Sequence, residues 1–75
     1  MARFHFNIIE DGRLIRDEVG QEFDDADAVR RQAVETGASI ARDAFMSGQK
    51  ERVVVDVRER GKPVLKVSIS IVIEE

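Results

Sequence analysis

A chain of 75 residues that is 43% hydrophobic and 36% charged is too apolar for a disordered segment and suits one small domain, residues 1–75. It contains no cysteine, which excludes disulfide staples, thiolate zinc sites and a catalytic thiol, and favours the cytoplasm. The formal net charge of −3 is mixed along the chain, so no basic surface for gripping nucleic acid is predicted.

The chain has room for only a thin core, and no segment predicts a membrane span. Domains of about this size bury only about 60% of their unfolded surface, so association with a copy or a partner would add stability. The apolar runs, such as 53–55 and 71–73, are far shorter than the roughly 18 residues that a spanning helix needs. The opening MARFHFNIIED has no basic start followed by a long apolar run, so no secretory signal is predicted.

Residues 3–17 predict a β-hairpin. In RFHFNI, phenylalanine and isoleucine alternate with polar residues, which is typical of a strand with one buried face. Asp11 and Gly12 tolerate positive φ and form the strongest short hairpin signal. The pairs that a two-residue turn would set are Glu10 with Arg13, Ile9 with Leu14, Ile8 with Ile15, and Asn7 with Arg16. Ile15 is therefore expected on the buried face.

The next segment predicts an acidic loop and then a helix. DEVGQEFDD, residues 17–25, is interpreted as a loop, with Asp24 as the helix N-cap. Apolar residues then recur at spacings of three and four: Ala26, Val29, Ala33, Gly37, Ile40, Ala41 and Ala44. Gly48 is expected to end the helix. Small side chains let a helix lie close upon a sheet, which would explain Gly37 despite its cost of about 1 kcal/mol against alanine.

The last third, RVVVDVRERGKPVLKVSISIVIEE, predicts a second hairpin. The alternating apolar residues of both strands must face the same core. The two residue numbers of each cross-strand pair must therefore sum to an even value, which requires a loop with an odd number of residues. A three-residue loop, Glu59-Arg60-Gly61 with a left-handed Gly61, satisfies this condition. A two- or four-residue loop would turn Lys66 into the core.

These elements predict an α+β fold in the order ββαββ, with one four-stranded, mostly antiparallel sheet and a single helix packed on one face. The residues expected between helix and sheet are Phe4, Phe6, Ile8, Ile15, Val29, Ala33, Ile40, Val55, Val57, Val67 and Ile69.

One helix covers one face of a sheet, so the opposite face is expected to be open. The members with potential for interaction are Arg3, His5, Asn7, Ile9, Leu14, Val54, Arg58, Lys66 and Val72, and Arg16, Asp56, Ser68 and Ser70 are expected beside them. This face is either a solvated, mixed-charge surface or a docking or dimer surface seeded by its apolar members. His5 is interpreted as a surface histidine, because a proton-transfer site needs a positioned partner and the sequence identifies none.

No motif of catalysis, cofactor binding or metal binding is present in the sequence. Acidic residues crowd between Asp17 and Asp27, but their order does not match an EF-hand, so a capped helix start is the simpler interpretation. There is no P-loop, no dinucleotide glycine fingerprint and no G-x-S-x-G. We therefore expect a protein that is not an enzyme and that has no cofactor.

RFHFNI, the DG turn, DEVGQEF and DDADAVRRQA resemble, in this order and spacing, a domain-of-unknown-function family of short bacterial proteins. The motif positions in this chain are Phe4, Phe6, Asp11, Gly12, Asp17, Gly20 and Ala33. The usual opening of that family is aromatic at the position of His5 and often histidine at that of Asn7, so this chain departs at both. The resemblance implies a fold and no activity.

Three hypotheses about function follow. The leading one is a small interaction module that can homodimerise and bind a protein partner. The first alternative is an antitoxin-like or regulatory protein that binds a basic partner. The chain weakly resembles such antitoxins, because a hairpin is followed by a helix that starts with a D-x-x-x-A pattern. The second alternative is a weak nucleic-acid binder that uses the open face, although that face lacks the exposed aromatics on which bases stack.

The final strand pattern, VLKVSISIVIEE, is the longest and most apolar in the chain and carries the homodimer hypothesis. At a sheet edge, its free backbone groups would pair with a second copy. In a central position, Ile9, Leu14, Val54 and Val72 would instead form a patch through which two open faces meet.

Overall fold

The computed structural model describes residues 2–48 and 52–75 and confirms the α+β fold. The elements in chain order are β1 (Ala2–Glu10), β2 (Arg13–Ile15), β3 (Gln21–Phe23), α1 (Ala26–Met46), β4 (Val53–Glu59) and β5 (Lys62–Ile69). The strands form one antiparallel sheet in the order β2-β1-β4-β5, and β3 pairs with the start of β1. The two hairpins therefore meet at the centre of the sheet, where β1 pairs with β4.

The register of the first hairpin is confirmed for the three pairs that form. Glu10 lies opposite Arg13, Ile9 opposite Leu14 and Ile8 opposite Ile15. The turn has positive φ at both central residues, 55° at Asp11 and 76° at Gly12, which matches the twist of the flanking strands. Strand β2 ends at Ile15, so the predicted pairing of Asn7 with Arg16 does not form.

The interpretation of residues 17–25 as a loop was wrong in part, because β3 lies within it. This strand pairs with β1 in the register Ala2–Phe23, Arg3–Glu22 and Phe4–Gln21. The helix start was also misplaced by one residue: Asp25, not Asp24, is the N-cap, and its side chain accepts a hydrogen bond of 2.8 Å from the Ala28 N–H. A three-residue strand leaves too short a pattern to detect beside a strong capping signal.

In the second hairpin, the pairs from Val53–Ile69 to Val57–Leu65 have the predicted even sum of residue numbers, but the loop differs from the predicted one. Glu59 pairs with Lys62 across a two-residue turn, in which Arg60 and Gly61 have φ of 53° and 77°. Lys66 nevertheless stays out of the core, because the register shifts between Val57 and Arg58. Val57 pairs with Leu65 and Arg58 with Pro63, so Val64 is an extra, bulged residue that restores the facing of the strand.

The core lies between α1 and the middle of the sheet. The buried hydrophobic residues are Phe6, Ile8, Val29, Ala33, Ala41, Ala44, Val53, Val54, Val55 and Val57. The predicted core residues Phe4, Ile40, Val67 and Ile69 are partly buried and pack against them. Ile15 was wrongly assigned to the core and is 49% exposed. The helix packs mainly on β4 and β5, so a side chain on β2 has no cover above it.

Gly37 has the predicted role of bringing the helix close to the sheet. A Cβ at this position would lie 2.9 Å from Ile69 Cδ1 and 3.1 Å from Val55 Cγ2. Contacts this close require the Ile69 and Val55 side chains or the helix to shift, so a larger residue would disturb the packing of α1 on β4 and β5.

Candidate functional site

A loop between β2 and β3, residues 16–20, is folded around the carboxylate of Asp17. Asp17 Oδ1 accepts hydrogen bonds from the Val19 N–H at 3.2 Å and the Gly20 N–H at 3.0 Å. Its Oδ2 accepts one from the Phe6 N–H of β1 at 3.0 Å. One side chain thus shapes its own loop and also takes the place of a backbone partner on β1, at the point between its pairing with β3 and its pairing with β2.

Polar side chains of β1 hold the same loop from the other side. Asn7 Oδ1 accepts a hydrogen bond of 2.9 Å from the Asp17 N–H. His5 Nδ1 lies 2.8 Å from the Asp17 carbonyl oxygen, so this nitrogen carries the hydrogen that it donates. Arg3 Nη1 donates to the carbonyls of Val19, at 2.8 Å, and Gly20, at 3.4 Å. Three of the predicted interaction residues are therefore committed to the fold of their own chain.

Gly20 is the point of closest approach between the loop and β1. Its φ is 74°, and a Cβ would lie 3.0 Å from Arg3 Cγ, His5 Cε1 and the Phe4 carbonyl oxygen. Only glycine satisfies both the conformation and the space. The D-x-x-G pattern of the sequence is thus explained physically: the aspartate binds the N–H of a glycine whose missing side chain lets the loop reach the strand.

The charge of Asp17 is stabilised where it lies. Burial alone raises the pKa of its carboxyl group, but the hydrogen bonds from the Gly20, Phe6 and Val19 N–H groups and the charge of His5 outweigh this effect. The pKa of Asp17 is therefore lowered from its ordinary value of 3.8. Protonation of this carboxyl group would weaken the loop.

On the face opposite the helix, side chains of β4 are less exposed than expected for a sheet that is covered on one side only. Val54 and Asp56 were expected to be exposed, and each is only 8% exposed. Both lie on a central strand with neighbours on either side; Asp56 lies between Asn7 and Lys66. Arg58 Nε donates to Asp56 Oδ2 at 3.1 Å. Its Nη1 donates to the Gly61 carbonyl oxygen at 3.1 Å, so this guanidinium lies along the sheet surface.

These residues border a shallow, polar depression on the open face. His5, Asn7, Asp17, Asp56 and Arg58 are among its lining residues. Each of them is already hydrogen-bonded within the chain. These five side chains therefore help to hold the fold of their own chain at this surface.

The other predicted interaction residues do not form one patch. Ile9 is partly buried and lies between Leu14 and Val54 in the sheet, and Leu14 is half-exposed. Lys66 is exposed on β5, two strands away from Ile9. Val72 lies beyond the end of β5 and is 79% exposed. The apolar members are therefore split between the first hairpin and the last segment.

The outer edge of β5 lies at one end of the strand order. Among residues 2–48 and 52–75, no strand pairs with that edge. Beyond Ile69 the chain continues without regular structure, and Ile71, Val72 and Ile73 are all exposed large hydrophobic residues. An unpaired strand edge followed by an apolar segment is a surface that pairs readily with another strand.

A second concavity lies at the opposite end of β5, near the start of the helix. Its apolar lining includes Phe4, Phe23 and Leu65, and its acidic members are Asp24, Asp25 and Glu59. No lysine or arginine is among its lining residues. The ring of Phe23 lies edge-on to the rings of both Phe4 and Phe6, at centroid distances of 6.1 and 5.7 Å.

The described residues contain no group of three or more histidine and acidic side chains placed to hold a metal ion. In that same part of the chain, α1 does not have the combination of length and apolarity that crossing a membrane requires.

Comparison with known proteins gives a family and nothing further. The model of a domain of unknown function, DUF6894, matches residues 3–70. No curated protein and no solved structure matches the chain. The match extends from the first strand through β5, so it covers both the Asp17 loop and the second hairpin, which lies beyond the motifs that carried the sequence resemblance.

Proposed function

This chain belongs to the DUF6894 family, and we propose that it is a small, non-enzymatic protein-interaction module that forms homodimers. The observation that carries the proposal is the outer edge of β5, which no strand of the described ranges covers and which runs into the exposed apolar residues 71–73. We place this module in the cytoplasm, since it contains no cysteine.

Edge pairing is favoured over packing of two open faces. Each unpaired N–H and C=O group of an edge strand can bond to a second strand, and apolar side chains on both strands are covered at the same time. Face packing would need the apolar members of the open face at one surface. Val54 is buried and Val72 lies apart from Ile9 and Leu14, so that face offers little apolar area.

Light scattering on matched variants tests this proposal. At about 100 μM, a concentration that populates complexes with micromolar Kd, we expect the unmodified chain to have the mass of a dimer. Ser70→Pro should give a monomer, because proline removes a backbone donor and its ring obstructs pairing. Ser70→Ala should remain dimeric, since it keeps the donor. Val72→Lys should also remain dimeric under edge pairing and would become monomeric under face packing.

Ser70 lies outside β5, so the monomeric variant should keep its fold. Unchanged circular dichroism and thermal unfolding of Ser70→Pro at low concentration would establish this. An unmodified chain that has only the monomer mass at about 100 μM would contradict the proposed homodimer.

A second candidate function is binding of a basic partner, and the concavity beside the helix start favours it. Its apolar lining is bordered by Asp24, Asp25 and Glu59, which suit an apolar side chain flanked by cations. We expect a synthetic peptide with leucine between arginines to bind the unmodified chain. Binding should weaken in Glu59→Gln and with added salt, whereas Asp43→Asn, on the exposed side of the helix, should leave it unchanged. Equal affinity in both variants would remove this candidate.

The nucleic-acid alternative has the least support. Arg3 and Arg58, two of the cations expected on the open face, already bind carbonyl or carboxylate groups of their own chain. The phenylalanines Phe4, Phe6 and Phe23 pack against the core, so none is presented for base stacking on the open face.

A further inference from the structure

We infer that two copies pair β5 with β5 in antiparallel register about a two-fold axis at Ser68, and that Ser70 and Ile71 become part of the paired strand. This inference rests on the proposed homodimer and adds the residues that meet in it. The paired segment would run from Leu65 to Ile71 in each copy, which places Ser68 at its centre.

The facing of side chains restricts the register. Leu65, Val67 and Ile69 are the partly buried residues of β5 and pack toward the helix, whereas Lys66, Ser68 and Ser70 are exposed. A continuous sheet through the dimer keeps each set on its own face only when the two residue numbers of every pair sum to an even value. The two-fold axis must therefore lie at a residue and not between two residues.

The register about Ser68 matches chemistry on both faces. On the helix side, Val67 of one copy lies opposite Ile69 of the other, and Leu65 lies opposite Ile71. Aliphatic pairs of this kind stabilise antiparallel strands by about 0.2–1 kcal/mol each relative to alanine pairs. On the other face Lys66 lies opposite Ser70, and the Ser68 residues face each other.

The neighbouring registers are less favourable. An axis at Lys66 places two lysines directly opposite each other, which is repulsive. With an axis at Val67, Ile71 faces Pro63, which has no N–H to donate and adjoins the bulge at Val64. An axis at Ile69 places Lys66 opposite an apolar Val72.

Charge along the two chains is favourable in the register about Ser68. Pairing about Ser68 carries the acidic residues of one copy, beginning at Glu74, toward Lys62 of the other. It also covers Ile71, which is 43% exposed in the single chain, with Leu65 of the second copy. The segment after β5 thus gains on pairing a neighbouring strand that the described residues of one chain do not provide.

Single cysteine variants test the register, because the chain contains no cysteine of its own. In Ser68→Cys the two thiols face each other across the axis, and a mild oxidant such as oxidised glutathione removes two electrons and two protons from them to form one disulfide. We expect a disulfide-linked dimer on a non-reducing gel. In Ser70→Cys the two thiols are about 13 Å apart along the strands, too far for a disulfide, so oxidation should be about tenfold slower.

A mixture of Lys66→Cys and Ser70→Cys chains supplies a second check, because these positions face each other in the proposed register. We expect a mixed disulfide between the two variants and little of either homodimer. Light scattering on each reduced variant establishes whether the dimer is present before oxidation.

The outcomes separate the register from the homodimer. Rapid linkage of Ser68→Cys with slow linkage of Ser70→Cys supports the inference. The reverse result, or no linkage of Ser68→Cys in a chain that is dimeric by light scattering, overturns the register and leaves the homodimer standing. A reduced, unmodified chain that is monomeric overturns both.

Discussion

The two edges of this sheet are built in opposite ways. On the side of the first hairpin, the pairing with β1 is divided between β2 and β3, each three residues long, and a folded loop lies between them. Side chains of β1, together with Asp17, bind that loop. At the other edge, β5 is one continuous strand of eight residues with no partner on its outer side among the described residues.

The difference indicates where association is prevented and where it is permitted. A short edge, interrupted by a loop that is bonded to Asp17 and to side chains of β1, offers a poor template for another strand. The longer edge of β5 does offer one, and Pro63, the bulge at Val64 and Lys66 oppose pairing along only part of it. Variants at the first edge therefore test whether that edge owes its form to the contacts with β1 and the core.

The largest expected loss of stability follows removal of the Phe6 ring, which joins the first edge to the core. Phe6 is buried and its ring lies edge-on to Phe23 of β3, so Phe6→Ala should lower the free energy of unfolding by about 3–5 kcal/mol. Ile15→Ala is the matched control, because Ile15 belongs to the same edge but is half-exposed, and it should cost about 1 kcal/mol or less. Urea unfolding of both variants measures the difference. Similar losses in the two variants would mean that the first edge is not attached to the core through Phe6.

The next effect comes from two glycines with the same backbone conformation. Gly12 and Gly20 have φ of 76° and 74°, but only Gly20 has neighbours within 4 Å of an added Cβ. Both Gly→Ala variants incur the strain of a left-handed alanine, and Gly20→Ala must also displace Arg3, His5 or Phe4. We expect Gly20→Ala to be less stable than Gly12→Ala by about 1–3 kcal/mol in thermal or urea unfolding. Equal losses would show that the loop does not need close contact with β1.

The smallest effect is the dependence of stability on pH through Asp17. Its pKa is lowered in the folded chain, so its contribution to stability is present above the unfolded value, near 3.8, and is lost as the pH falls through the lower folded value. Asp17→Asn should flatten the acid limb of stability between about pH 5 and the folded pKa, and should cost about 1–3 kcal/mol at neutral pH. Asp24→Asn, at an exposed carboxylate, is the control and should leave the acid limb in place. Parallel acid limbs in Asp17→Asn and the unmodified chain would contradict the role of this carboxylate.

The sequence predicts the regular parts of the fold because their signals are local. Asp11-Gly12 fixes the first register, and the small residues of the helix predict its close approach at Gly37, which the structure confirms. The second hairpin was harder. An even sum of paired residue numbers requires one extra residue between the two strands. That residue can lie in the strand as well as in the loop, and the structure places it at Val64.

The candidate surface was less predictable because it depends on contacts between distant parts of the chain. The sequence contains the D-x-x-G pattern, yet the nearby acidic residues also suit a helix start, and nothing local indicates that Asp17 binds the Phe6 N–H. Exposure of Val54 and Asp56 was expected from the position of the helix alone. Their burial depends on strand order, which places β4 between β1 and β5.

The central pairing of β1 with β4 sets the order in which this chain can fold during synthesis. Ile8 pairs with Val55, so the first strand must wait until the helix and most of the chain have left the ribosome before its inner edge is covered. Until then the amino-terminal hairpin and helix form a half-domain with an unprotected strand, which is prone to aggregation. Folding should accordingly be slower than the small size suggests, because the decisive contacts are those farthest apart along the chain.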